Sequence, residues 1–370
     1  MAPQNPLEIQ ELLDHCIGFL AGSTSALLAC ALVARSWAHT SQSLLFRSPS
    51  ETNPKFPRRE KLVLGFYNAL CTSGHLAREV LELSLEVGQL GSDTVEAIYS
   101  IGFTHLENLT LTMPWEEHLL PGSALERLVN LPTLRRFSFT ANLALSKCTL
   151  LWRHCSRTIR HLEFEFYEPT ALPWEETLAA TPFPFHLESL RIYVYGENPH
   201  EVLELFDFSQ SKAVSLDVGL YIPWESISLS QSRIRILDLD VVEESDPLDL
   251  SKYSELQYLR LHFNDVMPPM VLPTLDSLRR CKNLSELVLS GPYHTLVEEQ
   301  CLQVDAVLSS LPSPPLAAVE IEQRDGFDSS ICAHFPTLLS QDSSGKIEFR
   351  TVRGSSALAT SRWRDVISRL

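Results

Sequence analysis

The sequence lacks the motifs of the common enzyme classes. It contains no G-x-S-x-G nucleophile motif, no phosphate-binding P-loop, no H-E-x-x-H zinc motif and no glycine-rich dinucleotide loop after a predicted strand. The 12 histidines form no spacing that suggests a catalytic pair. Glu163 and Glu165 could act as acid and base only inside an enclosing pocket, and we expect them to be solvated charges instead. The sequence therefore predicts a protein that is not an enzyme, with no catalytic residue and no cofactor.

The chain also has little positive charge and no tight cysteine pattern. Its formal net charge is -16 with a pI near 5.2, which argues against nucleic acid or an anionic membrane surface as the main partner. The eight cysteines include no C-x-x-C pair, which favours a reduced setting in the cytoplasm or the nucleus over secretion. Cys148, His154 and Cys155 have no second ligand pair at zinc-like spacing, so we expect no metal site.

No apolar run is both long and uninterrupted. Residues 16–34 carry no charge, but Gly22-Ser23-Thr24-Ser25 interrupts them, and Glu8, Glu11 and Asp14 precede them. A signal peptide would be basic at this place, and a membrane span would be continuous. The segment therefore predicts two short helices separated by a polar turn, with Ser23 or Ser25 as the cap of the second helix.

What the sequence does contain is a repeated pattern of large apolar residues at positions n, n+3 and n+5. Residues n+3 and n+5 lie on one side of a β-strand, and residue n packs beneath them from the preceding turn. The copies start 21 to 32 residues apart, close to the spacing of leucine-rich repeats. The sets are Val80/Leu83/Leu85, Leu106/Leu109/Leu111, Leu134/Phe137/Phe139, Ile159/Leu162/Phe164, Leu187/Leu190/Ile192, Ala213/Leu216/Val218, Ile234/Leu237/Leu239, Leu256/Leu259/Leu261, Leu284/Leu287/Leu289 and Leu316/Val319/Ile321.

This repetition predicts an α/β fold in which a leucine-rich repeat solenoid has parallel strands on its concave side and helices and loops on its convex side. Leu125 with Leu128, and Leu275 with Leu278, have the spacing of covering helices. A helix over residues 62–70 would cap the first strand. Ile347 and Phe349 predict a last strand.

Trp363, Val366, Ile367 and Leu370 lie on one face of a final helix that would close the far end of the array. The alternative is that this segment is a basic binding tail, because Arg362, Arg364 and Arg369 surround the apolar face. The predicted domains are a helical module at 5–47, a proline-rich connector at 48–60, the repeat array with its capping helix at 61–350, and a cap helix or tail at 351–370.

The N-terminal module has more apolar surface than a unit of about forty residues can bury by itself. Pro6 begins a helical pattern in which Ile9, Leu13, Ile17 and Leu20 form an apolar stripe. A second helix carries Leu27, Leu28, Leu32 and Val33, followed by Arg35-Ser36-Trp37. Small domains of this kind usually need a disulfide, a metal or a partner, so the pattern favours a partner.

The order of four short motifs in residues 5–47 resembles the F-box or F-box-like domain of fungal proteins, especially those of mushroom-forming fungi. The motifs are Pro6-Leu7-Glu8-Ile9, Ile17-Gly18-Phe19-Leu20, residues 28–37 ending in Leu32-Val33-Ala34-Arg35-Ser36-Trp37, and Leu44-Leu45-Phe46-Arg47. Residues 75–85 also resemble the start of the repeat region in fungal F-box proteins.

The resemblance implies a three-helix module that binds the Skp adaptor of a cullin-RING ubiquitin ligase. Amphipathic helices that present an apolar face to a partner's groove are consistent with such binding. The residues that the resemblance divides between adaptor contact and module core are Pro6, Ile9, Leu13, Ile17, Leu20, Leu28, Leu32, Val33 and Trp37.

The inner surface of the predicted array offers a candidate site for a target protein. Positions n+2, n+4 and n+6 would line it, with an excess of acidic residues that suits a partner with a basic patch. The alternative is that these charges only provide solubility. The candidate target-binding residues are Glu163, Glu165, Arg191, Tyr193, Asp238, Asp240, Tyr258 and Arg260.

Together these features predict a substrate-recognition subunit of an SCF-type ubiquitin ligase, which binds the Skp adaptor and an unknown protein substrate. One alternative is an interaction scaffold whose F-box-like segment no longer binds the adaptor. A leucine-rich regulator of a small GTPase is a third possibility, and a GTPase assay on residues 76–370 would discriminate it.

Overall fold

The computed structural model describes the chain in segments: residues 9–48, 59–86, 92–112, 123–141, 153–167, 186–195, 206, 208–217, 233–241, 246–263, 267–292, 298–311, 316–324, 329–344, 348–353 and 363–368. The chain divides into two compact units, residues 1–159 and residues 160–370. The first contains a helical module and three strands, and the second contains eight strands, counted over the described residues. Pro6, Cys148, Ile347 and Leu370 lie outside these segments.

Three helices form the N-terminal module: α1 (Gln10–Gly18), α2 (Thr24–Val33) and α3 (Arg35–Arg47). Ser23 accepts a hydrogen bond from the Ala26 backbone N–H at 3.4 Å and so caps α2. Two helices separated by a polar turn were predicted here, and the structure confirms them. The interior of the module consists of Leu13, Ile17 and Leu27, with Leu20, Trp37, Leu44 and Leu45 packed against it.

The module contacts the first strand of the repeat array in the same unit. The Leu81 backbone N–H donates to the Arg47 carbonyl at 2.9 Å, and the Ser48 hydroxyl donates to Glu82 at 2.8 Å. Helix α4 (Arg59–Thr72) follows, and its Phe66 ring stacks on Phe46 with 5.3 Å between centroids. Because α4 begins at Arg59, it includes the last two residues of the predicted connector, and residues 49–58 are outside the described residues.

Parallel strands in chain order form the core of both units. In the first unit β2 lies between β1 and β3, and in the second unit each strand pairs with the next along the chain. This order confirms the predicted α/β class and is consistent with a solenoid-like stack. The strands are β1 (Glu82–Glu86), β2 (Asn108–Thr112), β3 (Arg136–Ala141), β4 (His161–Tyr167), β5 (Ser189–Tyr195), β6 (Ala213–Asp217), β7 (Ile236–Asp240), β8 (Tyr258–His262), β9 (Glu286–Pro292), β10 (Ala318–Arg324) and β11 (Glu348–Arg353).

The repeat pattern determines the register of these strands. Leu237, Leu259 and Leu287 are direct partners across β7, β8 and β9, and the residues two positions later pair in the same way. Residues at position n, such as Leu256, are buried beneath them. One strand cannot bury its apolar side alone, so stacking gains about 1.5 to 3 kcal/mol for each large side chain removed from water.

The predicted register of the sixth repeat is wrong by two residues. The buried pair is Val214 and Leu216 and not the predicted Leu216 and Val218, because Val214 aligns with Leu237 and Leu216 with Leu239. Ser211 therefore occupies position n, where its buried hydroxyl donates to the Leu187 carbonyl at 3.2 Å. A serine at this position hides the repeat from a search for apolar residues, and Ala213 lies on the opposite face of the sheet.

Helices and short 3-10 turns connect the strands. The further helices are α5 (Ser92–Tyr99), α6 (Ser123–Val129), α7 (Val271–Ser277), α8 (Glu298–Ser309) and α9 (Pro336–Ser343), and the turns are residues 208–210, 250–252, 278–280 and 329–334. The Phe335 ring lies 5.4 Å from Phe349 of β11, so this connection packs on the apolar side of the sheet. The predicted covering residues Leu125, Leu128, Leu275 and Leu278 are buried. None of the helices in the described segments is long and apolar enough to cross a membrane.

Gly291 at the end of β9 provides a direct test of this packing. A Cβ atom there would lie 2.2 Å from the ring of Phe263, which is completely buried. We expect Gly291→Ala to lower the free energy of unfolding by about 1 to 3 kcal/mol, measured by urea denaturation. Gly65→Ala is the control, since nothing lies within 4 Å of its Cβ position on α4. Recovery of stability on combining Gly291→Ala with Phe263→Leu would identify the ring contact as the cause, and an unchanged stability of Gly291→Ala would contradict the packing.

Candidate functional site

An apolar surface on α2 is one of two places where the described residues could bind a protein. The helix contains no charged residue, yet only Leu27 and Cys30 are buried. Leu28 is 54% exposed, Leu32 89% and Val33 64%. A helix that is apolar all round normally lies in a protein interior, so this surface, here named the α2 leucine face, has the composition of a surface that a partner covers.

Eight of the nine residues that the resemblance divides between adaptor contact and module core are described, and they fall into three groups. Leu13 and Ile17 are buried in the module core, so of the two predicted roles they have the core role and hold the helices together. Ile9, Leu20 and Trp37 are half-buried, the last two against that core. Leu28, Leu32 and Val33 are exposed as an interface residue must be, and Pro6 lies outside the described residues.

The sequence analysis missed two exposed apolar residues of the same module. Leu12 is 47% exposed and Phe19 is 78% exposed on α1 and at its C-terminal end. The predicted apolar stripe of α1 named Leu13 and did not single out the neighbouring Leu12. The helical spacing could have distinguished Leu12 from Leu13. Leu13 and Ile17 lie one turn apart on the same face of α1, and Leu12 lies beside that face.

The second place is the side of β4–β11 that is opposite the repeat leucines, here named the polar strand face. Its side chains form rows across neighbouring strands, and the middle row alternates in charge. Strand pairing puts Glu163 beside Arg191, and Asp238 beside Arg260. The full middle row is Glu163, Arg191, Ser215, Asp238, Arg260, Val288, Glu320 and Arg350.

Arg260 is the centre of a buried ionic network on this face. Its Nη2 donates to Glu322 Oε2 at 2.8 Å, and its Nη1 lies 3.5 Å from Asp238 Oδ2. Nη2 also lies 3.3 Å from the Ser290 hydroxyl, and the Ser215 hydroxyl donates to Asp238 at 3.2 Å. Burial alone would lower the pKa of Arg260, but the two carboxylates outweigh it and raise the pKa further, so the guanidinium stays charged.

Arg191 and Tyr193 form a second contact on β5. The guanidinium lies over the Tyr193 ring, 4.6 Å from its centroid, and donates to the Tyr193 hydroxyl. Burial raises the pKa of Tyr193, and the charge of Arg191 lowers it by a smaller amount. The phenol is therefore neutral at physiological pH, and its ring offers a flat surface for cation contact.

The structure corrects the expectation that Glu163 is a solvated charge, and it buries most of the other candidate target-binding residues as well. Glu163, Arg191, Asp238, Asp240, Tyr258 and Arg260 are all buried, while Glu165 and Tyr193 are half-buried. Two features remove them from water. The charges pair across strands, and a helical turn at the C-terminus lies over part of the face. None of the eight predicted target-binding residues is therefore widely open to solvent.

This C-terminal turn comprises residues 363–367 and belongs to the second unit. Trp363, Val366 and Ile367 form one buried cluster with Ala213, Ile236, Tyr258 and Val288, which come from β6, β7, β8 and β9. Arg364 Nη2 lies 3.5 Å from Glu163 Oε2 on β4. The turn was predicted to close the far end of the array, and that position is wrong. Its apolar side chains pack instead on the apolar residues of the polar strand face.

Ala213, Ile236 and Val288 were missed as contact residues. Each is an apolar residue that departs from the mainly polar character of this face. Val288 lies between Arg260 and Glu320, while Ala213 and Ile236 lie beside each other between Ser189 and Tyr258. The apolar residues Ile236 and Val288 could be recognised in the sequence once the leucines of each repeat were aligned. Ala213 was hidden by the incorrect register of the sixth repeat.

The cysteines provide a chemical test of burial. Burial raises the pKa of Cys281 and of Cys301 to about 11, while Cys16 and Cys71 are exposed. A thiol reacts as its thiolate, so the raised pKa leaves far less of the reactive form at pH 8. We expect iodoacetamide to label Cys16 and Cys71 first, and Cys281 and Cys301 only on unfolding, as peptide mass spectrometry would record. Equal labelling rates would contradict the packing.

The described residues contain no group of three or more potential metal ligands.

Comparison with known proteins leaves the family open. No protein-family model matches the chain, and no curated protein matches it. The fold class and the two surfaces are therefore inferred from the residues of this chain alone. Any function assigned to them is a proposal.

Proposed function

We propose that this chain is the substrate-recognition subunit of an SCF-type cullin-RING ubiquitin ligase. The three-helix module binds the Skp adaptor, and the repeat array binds a target protein. Catalysis belongs to the associated subunits. The observation that carries the proposal is the α2 leucine face, where an uncharged helix leaves Leu28, Leu32 and Val33 open to water.

The position of this face agrees with the resemblance of residues 5–47 to fungal F-box-like domains. The motif residues Leu13, Ile17 and Trp37 build the module or pack against its core, and the exposed leucines lie in the motif segment 28–37. A partner groove that buried Leu28, Leu32 and Val33 would gain about 1.5 to 3 kcal/mol for each. The contacts of Arg47 with Leu81 and of Ser48 with Glu82 would hold the module against the start of the first strand when the adaptor binds.

Co-expression of the full chain with the Skp adaptor tests the proposal. We expect the two proteins to elute together from a size-exclusion column and to bind the cullin-RING subunits in a second step. Separate elution of a folded chain and a folded adaptor would contradict the proposal and favour an interaction scaffold with a diverged module.

A further inference from the structure

The C-terminal turn occupies the middle of the polar strand face. Its three apolar side chains pack on four consecutive strands, β6 to β9, and Arg364 reaches Glu163 on β4. The apolar patch beneath it consists of Ala213, Ile236, Tyr258 and Val288, on a face whose other described side chains are mainly charged or polar. An apolar patch on such a face has the form of a binding site for an amphipathic helix.

The turn is an imperfect fit to this patch. Among the residues that the structure describes, the buried Trp363 indole N–H has no acceptor, and the buried Glu163 Oε1 has no donor. Arg364 remains 44% exposed and contacts Glu163 at 3.5 Å. Unpaired buried polar atoms cost about 1 to 3 kcal/mol each, and an exposed ion pair returns little. These unpaired atoms and the exposed ion pair lower the net stability of the docked turn, as its displacement by a ligand requires.

We infer that this part of the polar strand face is a peptide-binding site, and that residues 363–367 are its intramolecular occupant. The external ligand is a short helical segment of a partner protein that repeats the chemistry of the turn: an aromatic residue, then arginine, then two aliphatic residues three and four positions after the aromatic one. The aromatic and aliphatic side chains bind over β6–β9, and the arginine binds Glu163. The inference rests on the target-binding half of the proposed function and is independent of adaptor binding.

Competition with the tethered turn regulates the site. A segment joined to its own binding site competes at an effective concentration of the order of millimolar, so it blocks weak external ligands and yields to strong ones. The charged network around Arg260 lies beside the patch and remains paired when the turn leaves, because its partners Asp238 and Glu322 belong to the strands. The site is therefore formed before its ligand arrives.

A fluorescently labelled peptide of residues 361–370 is the probe, titrated into the full chain and followed by anisotropy. We expect weak binding to the unchanged protein. In the variant Val366→Asp with Ile367→Asp the turn is released, and we expect binding to become at least tenfold tighter. Ser368→Asp is the matched control, because it adds a charge to the exposed side of the same segment and should leave binding unchanged.

A charge exchange tests the orientation of the peptide and does not depend on the double variant. Arg364→Glu in the full chain places an acid beside Glu163 at a partly exposed position, so it should release the turn while the protein stays folded. In that variant we expect the labelled peptide to bind several-fold tighter than in the unchanged protein. A labelled peptide that itself carries Arg364→Glu should bind weakly there. Its binding should be restored in a chain that carries Glu163→Arg and keeps Arg364, because the two arginines repel the tethered turn while the acidic peptide meets an arginine.

Thermal unfolding of each variant shows that the protein is folded during the titrations. If the double variant unfolds, the Arg364→Glu chain decides the question alone. Equal peptide binding by the unchanged chain and by a folded, turn-releasing variant would overturn the inference, as would a failed restoration by Glu163→Arg. The assay contains no adaptor, so these results are distinguishable from a failure of adaptor binding.

Discussion

Replacing Leu32 by aspartate is expected to weaken binding of the Skp adaptor at least 100-fold while the protein stays folded. Leu32 is 89% exposed, so the free chain loses almost no packing, and its free energy of unfolding should change by less than about 0.5 kcal/mol. In the complex, the same substitution places a carboxylate in an apolar groove without a partner. That cost exceeds about 3 kcal/mol, which corresponds to the 100-fold loss. Isothermal titration calorimetry with purified adaptor measures it.

Two controls make this result specific to the α2 leucine face. Leu302→Asp on α8 changes a leucine that is also exposed, at 45%, but lies in the other unit, and we expect it to leave the affinity unchanged. Leu28→Asp should reproduce the loss, because Leu28 and Leu32 lie one helical turn apart on the same side of α2. Equal affinities for Leu32→Asp and Leu302→Asp would remove the α2 leucine face from the proposed function.

Replacing Arg260 by methionine should produce the largest loss of stability. Methionine fills a similar volume, but Asp238 and Glu322 then remain buried without their cation. Breaking a buried ion pair from one side costs about 3 to 5 kcal/mol. Urea denaturation followed by circular dichroism should show this decrease in the free energy of unfolding.

A triple variant tests whether the unpaired carboxylates cause this loss of stability. Adding Asp238→Asn and Glu322→Gln to Arg260→Met removes the unpaired charges, so the triple variant should be more stable than the single one. Arg235→Met is the matched surface control, since the Arg235–Glu255 pair is about 40% exposed and should contribute at most about 1 kcal/mol. A single variant as stable as this control would mean that Arg260 does not hold the two carboxylates together.

The strand stack could be predicted from the sequence because its determinants are local. Leu256, Leu259 and Leu261 lie within six residues, and their spacing alone specifies a strand, its buried side and the turn beneath it. The same reasoning gave the helices at Leu125 and Leu275 and the polar turn at Ser23. It failed at Ser211, where a hydrogen-bonded hydroxyl takes the place of an apolar side chain.

The position of the C-terminal turn could not be predicted in this way. Its helical face of Trp363, Val366 and Ile367 was readable, but the surface that covers it comes from residues 213–288, far away in sequence. Nothing in the spacing of a short amphipathic segment distinguishes the end of an array from the middle of its face. For the same reason the burial of Glu163 could not be predicted, since it depends on partners on neighbouring strands and on this turn.

Hydrogen exchange of the full chain, with and without the Skp adaptor, tests the central claim that the α2 leucine face is the docking surface of this protein. Binding should slow exchange of the backbone amides in residues 24–33, because a covered helix opens less often, while the amides of β6–β9 exchange as before. Unchanged exchange in residues 24–33 at a saturating adaptor concentration would contradict the claim.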